Sequence, residues 1–232
     1  MRLTILELAA RWADASGVLD EVDARLAAGA PSDLVVLPEA ALHGYVSPEG
    51  DFDLTRFAEP LDGPTAARCG AIARARSVHL VAPLVLREGA ALFNAIACFD
   101  PAGAPAFVYR KRHPWFPEEW ATAGTQPPPL LEIAGCRVTA AICFDVHFLA
   151  EDAAPQLAAA DVLVFPSAWV EEVDSRAQLL SALARQFEVH VANANWAPGV
   201  VRIPGQGGSC VIGPRGELIV RAEEAGRIDV EV

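Results

Sequence analysis

The sequence predicts an α/β protein in which helices cover the outer faces of a mixed sheet or of two sheets. Three observations carry this. The β-rich runs "DLVVLPE", "VHLVAPLV" and "DVLVFP" alternate with helical segments. Other runs face each other across turns rich in Gly and Pro: "ALFNAIACF" and "AFVYR" across "DPAGA", and "GGSCVIG" and "ELIVRA" across "GPRG". Hydrophobic residues make up 53% of the 232-residue chain against 21% charged, enough to bury a sizeable core.

Each element follows in order. Leu3 to Leu8 reads as a first strand. Ser16 is placed to cap a helix whose apolar positions Val18, Val22 and Leu26 share one face, with Gly29 as its stop. Pro38 ends the next strand because it has no N–H to give a ladder. Residues 64–76 read as a helix, "VHLVAPLV" as a strand, and the runs around "DPAGA" as a hairpin. "RVTAAIC" is a strand, 150–160 a helix, "DVLVFP" a strand, 175–188 a helix and "VHVANAN" a strand. Between them lies 111–129, "KRHPWFPEEWATAGTQPPP", too long and aperiodic for an idle connection. No composition break or internal repeat divides the chain, so the expectation is one domain over 1–232.

Charge and cysteine usage exclude several classes. A net charge of −12 argues against a nucleic-acid partner, which needs clustered Lys and Arg. No apolar run approaches the ~20 residues of a membrane-spanning helix, and the N-terminal run is broken by Glu7, unlike a signal peptide. The cysteines at 69, 98, 136, 143 and 210 are odd in number and form no C-x-x-C pair. That points to free thiols in a reducing compartment, hence to a cytoplasmic protein.

Three reactive side chains sit at predicted strand ends: Glu39 after "DLVVLP", Lys111 after "FVYR" and Cys143 after "VTAAI". Loops at the carboxyl ends of strands are where α/β proteins gather ligands. A carboxylate, an ammonium and a thiol meeting there have complementary tasks. The carboxylate removes the thiol proton, the thiolate attacks an acyl carbon, and the ammonium stabilises the oxyanion, with no metal or cofactor required. Taken singly, a free cysteine is more often a small buried hydrophobe and a lone Glu or Lys a solvated one, and spacing alone does not bring the three together.

The blocks "LVVLPEAALHGY", "VYRKRHPWFPEEW" and "AAICFDVHF", in this order, resemble the nitrilase superfamily of carbon–nitrogen hydrolases. Similarity continues through "LDGPTAARCGAIARARSVHLVAPLV", "DVLVFPSAWV" and "GGSCVIGPRGELI", covering nearly the whole chain. The resemblance implies a four-layer α-β-β-α sandwich and a Glu–Lys–Cys triad, which by position falls on Glu39, Lys111 and Cys143. It also implies a second glutamate after the lysine, for which "PEEW" offers Glu119 or Glu118: the count from Lys111 favours Glu119, which is preferred, and the count back from Trp120 favours Glu118. Phe144, His147, Trp115 and Trp169 are the implied substrate contacts, Phe144 through its backbone N–H at the oxyanion; for Trp115, core packing is the competing reading. Members of this superfamily usually self-associate, so a homo-oligomer is expected.

The implied reaction is hydrolysis of a small-molecule amide through a thioester. The alternatives are an N-carbamoyl amino acid or amine amidohydrolase, and a non-catalytic binding module on the same fold. Phe144–Asp145 stands where true nitrilases carry Trp–Glu, which favours an amide over a nitrile. His147 stands where the superfamily often has Arg, and imidazole, with a free pKa of ~6.5, binds a carboxylate weakly above neutrality. This favours a small neutral amide, unless Arg112, Arg176 or Arg202 supplies the missing charge. Two signals are set aside. Cys143, Asp145 and His147 alternate as metal ligands would on one face of a strand, but a strand ending at 143 does not keep that alternation. "PGQGGSC" lacks the third glycine of a dinucleotide loop.

Overall fold

The computed structural model describes residues 1–171, 174–223 and 226–232. Among the described residues, twelve strands form two six-stranded sheets. In chain order the strands are β1 (Arg2–Leu6), β2 (Leu34–Val36), β3 (His79–Glu88), β4 (Ala91–Phe99), β5 (Pro105–Arg110), β6 (Leu130–Ile133), β7 (Cys136–Ala140), β8 (Val162–Ser167), β9 (His190–Asn195), β10 (Cys210–Ile212), β11 (Leu218–Arg221) and β12 (Arg227–Glu231). The helices are α1 (Ala15–Ala28), α2 (Pro64–Arg76), α3 (Leu149–Asp152), α4 (Ala154–Ala159) and α5 (Arg176–Phe187). The first sheet runs β12-β1-β2-β3-β4-β5 and the second β11-β10-β9-β8-β7-β6. Both are mixed: β1, β2 and β3 pair in parallel, as do β7, β8 and β9, while the outer pairs are antiparallel.

Strand alternation sorts the core into layers. In the first sheet Ile5, Leu34, Val36, Val81, Ile96 and Cys98 face the second sheet and join Val138, Ala140, Val164 and Val191. Their neighbours Leu6, Val35, Leu80, Ala82, Ala97 and Phe99 face the other way, onto Val18, Val22 and Leu26 of α1 and Cys69, Ile72 and Ala73 of α2. Leu157 of α4 with Leu180, Leu183 and Ala184 of α5 cover the outer face of the second sheet. The result is the expected four-layer α-β-β-α sandwich.

Local departures have local causes. The cap of α1 is Asp14, whose side chain accepts from Gly17 N at 3.1 Å; Ser16 sits inside the first turn. The helix expected over 150–160 is two short ones, α3 and α4, broken at Ala153. Pro155 lacks the N–H that would continue the ladder to the carbonyl of Glu151. Strands β6 and β12 were not expected from the sequence: β6 hairpins onto β7 across Ala134–Gly135, and β12 pairs antiparallel with β1 along the first sheet's edge.

Candidate active site

The two sheets bring Glu39, Lys111 and Cys143 to one end of the sandwich. Glu39 lies three residues beyond β2: Leu37 N still donates to Val81 O at 3.0 Å, Pro38 stops the ladder, and Ala40 turns the chain with φ 52°. Lys111 follows β5 directly and stays tied to β4, its N–H donating to Asn94 O at 2.8 Å. The strand before Cys143 is shorter than expected. β7 ends at Ala140, and Cys143 opens a 3-10 turn over Cys143–His147.

Lys111 is the hub. Its side chain is fully buried, and Nζ donates to Glu39 Oε1 at 2.8 Å and to Glu118 Oε1 at 2.6 Å. Burial works against its charge, but the two carboxylates outweigh burial and hold the ammonium protonated. Asn94 Nδ2 bridges the same carboxylates, reaching Glu39 Oε1 at 2.8 Å and Glu118 Oε2 at 3.1 Å. Tyr45 Oη donates to Glu118 Oε1 at 2.7 Å, and Ala168 N donates to Glu39 Oε2 at 2.8 Å. Burial raises the Glu118 pKa; Lys111 opposes the shift and Glu39 adds to it.

The glutamate that meets the lysine is therefore Glu118, not the favoured Glu119. The turn from Trp115 to Glu118, closed by Glu118 N on Trp115 O at 2.8 Å, sends Glu118 inward and leaves Glu119 exposed. The count from Lys111 missed this, because a tight turn reverses direction within one residue, whereas the count back from Trp120 reached it. Asn94 and Tyr45 were also missed. The signal for Asn94 was a polar side chain inside the otherwise apolar β4.

Cys143 has φ 44°, a left-handed conformation that costs a non-glycine residue about 1–2 kcal/mol. Asp145 holds it there. Its Oδ2 accepts from Ile142 N at 3.1 Å and Tyr109 Oη at 2.9 Å, and its Oδ1 from His113 N at 2.9 Å. One buried carboxylate thus ties the cysteine turn to the chain just past Lys111. The turn also separates Cys143, Asp145 and His147, since Asp145 points inward to Tyr109 while His147 is exposed. Burial pushes the Cys143 thiol well up, Glu39 adds to the shift and Lys111 opposes it. The resting group is a neutral thiol.

Above the thiol opens a cavity of about 80 Å³, lined by Tyr45, Trp115, Cys143, Phe144, His147, Ala168, Trp169, Val170 and Glu171. All four expected contact residues line it. Arg112, Arg176 and Arg202 do not. Arg112 bonds Asp152, Arg176 bonds Asp174, and Arg202 edges a different hollow beside Glu7. Glu171, at the rim, was not singled out in the sequence.

Comparison with known proteins agrees with this geometry. The carbon–nitrogen hydrolase family model matches residues 2–230. The chain belongs to this family. A protein of Pseudomonas protegens named "Hydrolase in pqqF 5'region" is 29% identical over 226 residues, covering 96% of this chain and 79% of that protein. The omega-amidase NIT2 of Homo sapiens is 28% identical over 218 residues, covering 87% and 77%. Among solved structures, a glutamate-to-glutamine mutant of the amidase from Nesterenkonia sp. AN1 superposes with TM-score 0.84 at 26% identity, covering 100% of this chain and 90% of that one. That structure shows covalent addition of the acetamide moiety of fluoroacetamide at its active-site cysteine. This carbon–nitrogen hydrolase thus shares the nitrilase-superfamily sandwich with amidases.

Proposed function

We propose that this protein hydrolyses a small, non-anionic amide through a thioester on Cys143, with Glu39, Lys111 and Glu118 as its working partners. The observation that carries the proposal is the buried Lys111 ammonium joining Glu39 to Glu118 below a cavity whose lining includes the cysteine. Glu39 is the general base. It takes the Cys143 proton as Sγ bonds to the amide carbon, and the carbonyl electron pair moves onto oxygen. Lys111 and the Phe144 backbone N–H stabilise that oxyanion. When the intermediate collapses, the C–N bond breaks and the amine leaves with the proton from Glu39. Glu39 then deprotonates a water that adds to the thioester; collapse of this second intermediate releases the carboxylic acid and regenerates the thiol.

The neutral resting thiol fits this order. A free thiolate beside two carboxylates would be repelled, so proton removal and attack proceed together. Glu118 neutralises and orients Lys111, and Asn94 donates to both carboxylates. The proposal covers 1–232 as one catalytic unit, working as a homo-oligomer. The test is ammonia release from short aliphatic amides, with mass spectrometry of the trapped enzyme. An acyl adduct on Cys143, and loss of turnover in Cys143→Ala, are expected. Full turnover in that variant, or an adduct on another cysteine, overturns the assignment. Iodoacetamide is expected to favour Cys143, which lines the cavity, over Cys69 and Cys98, which are buried and line no part of it.

A further inference from the structure

We infer that Glu171 sets the charge of the substrate: the site takes amides bearing an ammonium or other donor-rich group and turns away those bearing a carboxylate. This rests on the amidase reading of Cys143 and adds a substrate class to it.

The first observation is position. Cys143 and Glu171 line the same cavity, with Tyr45, Trp115, Phe144, His147 and Trp169 as the other side chains of note. Among the described residues no arginine or lysine lines it: Lys111 is fully buried between two carboxylates, Arg112 pairs with Asp152 and Arg176 with Asp174. A carboxylate-bearing substrate would meet another carboxylate at the rim without a compensating cation.

The second observation is how firmly Glu171 is held. Oε2 accepts from Ser175 Oγ at 2.6 Å, from Ser175 N at 3.3 Å and from Trp169 Nε1 at 3.1 Å. Burial opposes its ionisation, but these donors prevail and hold its carboxyl below the usual range, so it is charged at neutral pH. The backbone that carries it is also anchored. Trp169 N donates to Asn195 Oδ1 at 3.1 Å, and Trp169 O accepts from Trp196 Nε1 at 2.9 Å. Gly205, at φ 90°, packs against the same stretch so closely that a Cβ there would lie 2.8 Å from Glu171 N. All three of these bonds fall on Oε2, and among the described residues none falls on Oε1. A charge held this rigidly discriminates without losing side-chain entropy on binding.

The experiment compares matched linear amides ending in ammonium, methyl or carboxylate, with two or four methylenes as spacer: 3-aminopropanamide, butanamide and succinamate, then 5-aminopentanamide, hexanamide and adipamate. It is run at pH 8. The ammonium member of at least one series is expected to exceed its carboxylate partner in kcat/KM by tenfold or more, with the methyl member between. Raising the salt concentration is expected to narrow the gap. In Glu171→Gln, which keeps an acceptor for Ser175 and Trp169, the ammonium-to-carboxylate ratio is expected to fall at least tenfold. A merely structural role would lower all members by one factor and leave the ratio alone, which overturns the inference. So does a wild-type preference for the carboxylate member, or none, at both spacer lengths. If butanamide and hexanamide turn over through Cys143 but the charge order is flat or reversed, this inference alone falls. If no amide acylates Cys143, the amidase reading falls with it.

Discussion

Replacing Lys111 by methionine leaves an unbranched side chain one atom shorter and removes the charge. Glu39 and Glu118, now held 2.8 and 2.6 Å from the ammonium, would face each other in a fully buried site with Asn94 as their shared donor. Breaking a buried ion pair by removing one partner costs about 3–5 kcal/mol. Here that cost depends on pH. Burial and Glu39 already raise the Glu118 pKa against the pull of Lys111, and without the lysine it rises further. A folded-state pKa raised above the unfolded value gives stability that is present at low pH and lost as pH climbs through the folded value. The variant's deficit relative to wild type is therefore smallest near the ordinary carboxylate range, where a proton can replace the ammonium. It then grows by up to ~1.4 kcal/mol per pH unit for each extra proton held. Urea unfolding of both proteins at pH 5 and pH 8 measures this. The expected result is a deficit larger at pH 8 by 1 kcal/mol or more (about one bound proton over part of that range). Turnover at pH 8 is expected to fall by about 10²-fold or more, as when an oxyanion donor is removed. A deficit that is equal at both pH values would refute the coupling of the two carboxylates through Lys111.

The remaining predictions concern the same network. Glu118→Gln is expected to lower kcat at least tenfold, whereas Glu119→Gln, at an exposed position, leaves steady-state rates near wild type; the reverse order would show that the turn at 115–118 has been misassigned. Asp145→Asn removes one acceptor from a group serving Ile142 N, Tyr109 Oη and His113 N. Leaving one buried donor unpaired is expected to cost about 1–3 kcal/mol in denaturant unfolding and to slow the acylation of Cys143; unchanged stability would mean that the cysteine turn does not depend on this carboxylate.

Much of this protein was legible before any fold was known. The unbroken apolar run Leu34-Val35-Val36-Leu37 suits a strand buried on both faces, and the structure divides those residues between the inter-sheet core and the helices. The aperiodic stretch 111–129 had the appearance of a functional loop, and it supplies Lys111, Trp115 and Glu118 to the site. Strands β6 and β12 were not legible. They are short, lie toward sheet edges, and owe their existence to a partner strand rather than to their own residues.

By itself the sequence determined the α/β class, with helices over the outer faces of one mixed sheet or two, and which residue types have chemistry to offer at the strand ends. Those follow from periodicity and composition, which are properties of neighbours in the chain. Only the tertiary structure decided which of two adjacent glutamates meets Lys111, that Asn94 and Tyr45 belong to the same network, and that Glu171 rather than an arginine stands at the rim. Each of those outcomes depends on the direction a side chain takes out of a turn, and on contacts between residues as far apart as Glu39 and Ala168. Direction in space is set by packing, and no local pattern encodes it.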